Sequence, residues 1–175
     1  GTEYVPEWVE NCTAVNGRDD NAVIDEIASC DIMATALGVN VLPHVASLIA
    51  RGLLARRERT KKPLNILICE NLIGSDKYLR ELVAPHIPAE AMSYFLDEVG
   101  FVSVSVGITV PPTPEKFLAD NPLAVCTDLY TELPADALGF RPVGAPTPRI
   151  DGMVVFSPFG FFIERKLLIH NMGHA

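Results

Sequence analysis

Residues Leu64 to Cys69 read LNILIC, an apolar run interrupted only by Asn65. A strand that shows no in-and-out alternation is buried on both faces, which is the condition of a strand inside a parallel sheet covered by helices. The flanking sequence supplies those helices. A helix is expected from about Leu42 to Arg59, with Val45, Leu48, Ile49, Leu53 and Leu54 on its inner face. Before it lies an apolar strand from Asp31 to Ala36, closed by Gly38. Asp19 and Asp20 open an earlier helical pattern through Val23, Ile24, Ile27 and Ala28, and Asn11 to Val15 reads as a first strand. The pattern is βαβαβ, and right-handed crossovers would make it half of a doubly wound sheet.

Composition agrees with that class and excludes others. The 175 residues are 49% hydrophobic but only 7% aromatic, which suits a Val, Ile, Leu and Ala core. The formal net charge of −8 argues against nucleic acid, whose phosphates call for clustered cations. Arg56, Arg57, Arg59, Lys61 and Lys62 form the one basic cluster, and they read as a solvated helix end. The apolar stretch Val39 to Ala50 is broken by Pro43 and His44, far short of the roughly 20 residues that span a bilayer. With no tripartite leader at the start, a cytoplasmic location is expected. Cys12, Cys30, Cys69 and Cys126 are too scattered for a zinc ribbon and read as buried thiols. The chain is apolar for its size, so some of that surface is expected to face another domain or subunit. A start at Gly1 and a stop at Ala175 after an apolar stretch suggest a piece of a longer protein.

Past Cys69 the pattern becomes mixed. Gly74-Ser75-Asp76 is a turn and helix start for Lys77 to Val83, and a helix follows from about Ala89 to Glu98 after Pro88. Phe101 to Val106 alternates as a half-buried strand does. Leu123 to Asp128, Phe140 to Val143 and Met153 to Phe156 are short strand candidates between Pro and Gly turns. A last helix has Ser157 as N-cap and Pro158 at its first position, and passes through Phe159, Phe162, Ile163, Lys166 and Leu167.

Three clusters could carry chemistry. In the closing helix, Lys166 stands among Phe162, Ile163, Leu167 and Leu168, with His170, Asn171 and His174 close behind. A buried lysine has a lowered pKa and can serve as a general base, although the same residue can also snorkel to water. His170 and His174 have the spacing of a zinc pair, but no third ligand is placed to complete a site, so no metal is expected. The second cluster is Cys69-Glu70-Asn71, at a strand's carboxyl end where doubly wound folds hold ligands. Asn71 could donate to a developing alkoxide, and Glu70 could hold a hydroxyl or an amide; a plain turn using Asn for its backbone tolerance is the other reading. The third is Thr35-Ala36-Leu37-Gly38, small residues that let a ring or ribose approach the backbone, as many βα turns do.

Together these residues resemble the polyol-specific long-chain dehydrogenases of the mannitol dehydrogenase family. The resemblance is carried by Asp31 to Gly38, by Pro63 to Asn71, by Val99-Gly100-Phe101-Val102, by Pro111-Pro112, and by Glu164-Arg165-Lys166-Leu167 through Asn171, Gly173, His174 and Ala175. It implies a metal-independent oxidoreductase that passes a hydride between NAD and a sugar phosphate or polyol, such as mannitol 1-phosphate and fructose 6-phosphate. It implies that Lys166 takes the hydroxyl proton, that Asn71 and Asn171 steady the oxyanion and that His174 orients the substrate oxygen. Ala36, Leu37, Gly38, Glu70 and Asn71 are then expected beside the cofactor. A catalytically inactive relative that binds a sugar phosphate or a protein is the alternative, and a tagaturonate- or fructuronate-type reductase is another within the enzymes. The fold implied is the distal part of a Rossmann-like sheet over residues 1–73. A mixed connecting region over 74–156 and the start of a helical substrate domain over 157–175 complete it. No G-x-G-x-x-G turn occurs, which places that turn in the rest of the parent chain, and the 175 residues alone are expected to be inactive. Gly107-Ile108 stand where relatives carry an Asp-Arg pair.

Overall fold

A computed structural model describes residues 4–165. The regular elements are α1 (Asp20–Ser29), β1 (Met33–Thr35), α2 (Leu42–Arg59), β2 (Leu64–Ile68), α3 (Ser75–Val83), α4 (Met92–Asp97), β3 (Val99–Ser103), α5 (Glu115–Asp120), β4 (Leu133–Asp136), β5 (Met153–Phe156) and α6 (Gly160–Arg165). Strands β1, β2 and β3 form a parallel sheet in that order, in the register Met33 with Ile66 and Ile66 with Phe101. The βαβαβ unit is therefore present, but one strand later than the sequence suggested. Asn11 to Val15 is not a strand: the segment is fully exposed and lacks regular structure. The third strand is Val99–Ser103, which lies in the expected connecting stretch.

Local chemistry sets the helix ends. Asp19 caps α1 by accepting from the N–H groups of Asn21 and Ala22. Helix α2 begins and ends where its pattern indicated, with Pro43 in its first turn. Its far end closes through Lys61, which adopts a left-handed φ of 56°.

Every residue of β2 is buried, as its composition required. Leu64, Ile66 and Ile68 point to one side, where Leu42, Ala46, Ile49 and Leu53 of α2 meet Leu79 and Val83 of α3. Phe95 of α4 packs edge-on against Phe101 there, with centroids 5.5 Å apart. Each such large apolar side chain contributes about 1.5–3 kcal/mol on burial. Leu67 and Val102 point to the other side and form a second, smaller core with Val104, Ala135 and Phe140. Here Asn65 replaces an apolar residue and exchanges two hydrogen bonds with the Arg141 backbone, at 3.0 and 2.8 Å. Gly100 is required beside it, because a Cβ would meet both Asn65 Oδ1 and the Gly139 carbonyl.

Beyond β3 the chain leaves on an excursion and returns. Val104 bridges Ala135 in antiparallel sense, Ser105 N–H donates to the Pro134 carbonyl, and Thr109 and Asp128 are joined by two hydrogen bonds. Strands β4 and β5 then pair in parallel as a separate two-stranded sheet. Leu123 to Asp128 and Phe140 to Val143 are not strands, whereas Met153 to Phe156 is. Helix α6 starts at Gly160, so Ser157 and Pro158 precede the helix instead of capping it.

Two side-chain expectations are corrected. Arg56 is not solvated: it is 2% exposed, and its guanidinium donates to the carbonyls of Ile27, Ala28, Cys30, Lys62 and Pro63. The thiols are not fully buried either, since Cys12 is exposed and the other three are half-buried. Burial is still enough to push the Cys30 thiol above its ordinary pKa. Among the described residues no helix is long and apolar enough to cross a membrane.

Candidate functional site at the carboxyl edge of the sheet

In an open parallel sheet, ligands sit beyond the carboxyl ends of the strands, where turns from neighbouring βα units face each other. The first turn here is Ala36-Leu37-Gly38, exposed at the end of β1. Gly38 has φ +90°, a conformation that other residues rarely adopt, and nothing lies within 4 Å of where its Cβ would stand. Backbone at this point borders open space.

The second turn reaches across to hold the first. Glu70 lies just past β2 and is 7% exposed, with one carboxylate oxygen accepting from Leu37 N–H and the other from Gly38 N–H, both at 2.9 Å. Both groups that Glu70 holds are backbone amides of the chain itself. Charge-assisted bonds of this kind are the stronger class of hydrogen bond, so the carboxylate fixes the shape of the turn. Cys69 N–H also donates to the Thr35 carbonyl at 2.9 Å, extending the β1–β2 pairing up to the turn.

Asn71 follows on the exposed rim and makes no side-chain hydrogen bond to any described residue. Its backbone is not left-handed, since Asn11 and Lys61 are the only described non-glycine residues with positive φ. Tolerance of unusual angles therefore does not account for an asparagine here. Thr35, beneath the first turn, is 1% exposed, and its Oγ1 has no partner among the described residues. Unpaired buried hydroxyls are uncommon because each costs about 1–3 kcal/mol.

A third group at this edge escaped the sequence reading. Ser103 ends β3, and its hydroxyl lies 3.1 Å from that of Ser75, at the start of α3, and donates to Asp76 at 3.1 Å. The signal was available in Phe101 to Val106, whose alternating serines looked like a solvent face but are buried. Lys166, Asn171 and His174 lie outside the described residues, so the structure brings together Ala36, Leu37, Gly38, Glu70 and Asn71 alone among the expected site residues. No group of three or more His, Cys, Asp or Glu side chains suited to a metal occurs among the described residues.

A parallel sheet with helices and a clamped glycine turn at its carboxyl edge is a Rossmann-like architecture. Residues 4–149 match the family described as mannitol dehydrogenase Rossmann domain, and the chain belongs to the mannitol dehydrogenase family. It is 34% identical over 168 residues to the mannitol-1-phosphate 5-dehydrogenase of Buchnera aphidicola, covering 95% of this chain and 42% of that protein. The enzyme of the same name from Geobacillus thermodenitrificans is 37% identical over 179 residues, covering 100% and 44% respectively. The chain thus spans less than half the length of these curated relatives.

Among solved structures, a substrate-free D-sorbitol dehydrogenase shares the fold at a TM-score of 0.70 and 15% identity, covering 90% of this chain and 40% of that one. The Pseudomonas fluorescens mannitol 2-dehydrogenase, solved with NAD and D-mannitol, does so at 0.63 and 17%, covering 86% and 38%.

Proposed function

We infer that this chain is part of a longer NAD-dependent oxidoreductase that moves a hydride between nicotinamide and a sugar phosphate or polyol, most like mannitol 1-phosphate and fructose 6-phosphate. The supporting observation is the Glu70 clamp on the Leu37-Gly38 turn, at the edge where this fold holds dinucleotides and in a chain of this family. NAD fits the residues present. Gly38 leaves open space for close approach, the Thr35 hydroxyl lacks a partner among the described residues, and Asn71 stands on the rim beside them. Ala36 to Gly38 would line the cofactor while Glu70 keeps that lining in shape. Bound there, NAD takes up or returns the hydride.

The protein's own part is proton movement and charge stabilisation. As hydride leaves a carbinol carbon, the adjacent oxygen must lose its proton. A lysine kept neutral by apolar neighbours can take it, and amide donors can stabilise the alkoxide as it forms. In this reading Lys166 is the base, Asn71 and Asn171 are the amides, and His174 orients the substrate oxygen. Residues 1–73 contribute the clamped turns, 74–156 add the third strand and the excursion, and 157–175 open the helical substrate domain. The protein acts in the cytoplasm.

The test is reduction of fructose 6-phosphate with NADH by the intact protein. Turnover is expected, and Lys166→Ala should lower kcat by about 10²–10⁴-fold, the range for a lost general base. Near-normal turnover in that variant removes Lys166 from the role. Ligand binding without any turnover by the wild type favours the inactive-relative reading instead.

A further inference from the structure

Gly107 is crowded by one side chain. A Cβ at this position would lie 2.7 Å from Cε1 of Tyr130 and 3.2 Å from its Cδ1 and Cζ, so the ring occupies the space that a side chain at 107 would need. The two residues are held together by the chain on either side. Ser105 N–H donates to the Pro134 carbonyl, and Asp128 accepts from Thr109 N–H through its side chain and donates to the Thr109 carbonyl through its own N–H. Asp128 also accepts from Tyr130 N–H at 3.1 Å, which fixes the backbone from which the ring projects.

The location is the carboxyl side of β3, past Ser103 and its hydroxyl contact with the start of α3. Tyr130 is half-buried there, and its phenolic oxygen makes no hydrogen bond to any described residue. An aromatic ring whose hydroxyl has no partner among the described residues suits a polyhydroxylated chain: the ring covers carbon-bound hydrogens and the hydroxyl pairs with one substrate oxygen. No side chain at 107 can share this space, so the ring and any charged residue at that position exclude each other.

We propose that Tyr130, seated on Gly107, is a substrate-contacting residue that sets specificity for a sugar or polyol chain at this edge. The proposal rests on the oxidoreductase reading above. It is tested in the intact protein by steady-state kinetics with fructose 6-phosphate and NADH, with circular dichroism to confirm folding. Tyr130→Phe should raise KM for the sugar by about tenfold, the value of one lost hydrogen bond to substrate. Tyr130→Ala should raise it further, and Gly107→Ala should resemble Tyr130→Ala, because the added methyl displaces the ring. The effect should fall on the KM of the sugar and not on that of NADH.

If the folded Phe and Ala variants both keep the wild-type KM for the sugar, the proposal is wrong while the oxidoreductase reading stands. If the KM of NADH moves instead, Tyr130 belongs to the cofactor side and the proposal is equally overturned. A wild-type protein that turns over no sugar or polyol overturns both.

Discussion

The two ends of the parallel sheet are fastened by opposite charges, each held chiefly by backbone groups. At the amino ends of β1 and β2, Arg56 gathers five carbonyls, including those at the end of α1. A cation is favoured at a helix carboxyl terminus, and here it also fills a 2%-exposed site. At the carboxyl ends, Glu70 holds two amides of a turn that is itself exposed. The first fastening ties the end of α1 to the stretch that leads into β2. The second spends its bonds on shaping a surface. The guanidinium thus bridges two separate stretches, residues 27–30 and 62–63, whereas the carboxylate shapes one turn.

Three substitutions probe this contrast, from the largest expected effect to the smallest. Arg56→Met keeps bulk but strands several buried carbonyls at about 1–3 kcal/mol each, so unfolding in urea should show a loss of about 3 kcal/mol or more. A loss below about 1 kcal/mol would mean that water replaces the guanidinium and that the amino end is not fastened in this way. Glu70→Gln retains one acceptor but turns an NH₂ group toward the second amide, which should lower stability by about 1–3 kcal/mol. In the intact protein it should also weaken NAD binding, measured by calorimetry. Unchanged affinity would make the carboxylate as purely structural as Arg56. Thr35→Val removes a hydroxyl without a partner among the described residues and should raise stability by about 1 kcal/mol. A melting temperature that falls would show that the oxygen is satisfied after all.

Much of the sheet could be read from the chain because its signals are local. Leu42–Arg59 carries a long apolar stripe with a proline in its first turn, and Leu64–Ile68 has no polar alternation, so both emerged with nearly the expected bounds. Asn11 to Val15 misled because a short β-like composition is not a strand without a neighbour to pair with. Leu133–Asp136 was missed because Pro134 reads as a turn, although its carbonyl still accepts from Ser105 N–H within the strand pairing. Arg56 was misread with the basic run around it, since burial of one arginine among several depends on carbonyls far away in sequence. At the site, the strand-end position of Glu70 was legible, but its pairing with Leu37 and Gly38, more than thirty residues upstream, was not. Ser75 and Ser103 meet only after β3 joins the sheet, a tertiary event no spacing encodes.

Strand β1 lies at the border of its sheet, and among the described residues only β2 pairs with it. Its outer row of amides and carbonyls is a template on which another extended peptide can register, including the same row of a second molecule. Produced as these 175 residues, the polypeptide should therefore self-associate in a concentration-dependent manner, and a charged residue at the exposed Ala34 position is the direct way to blunt it.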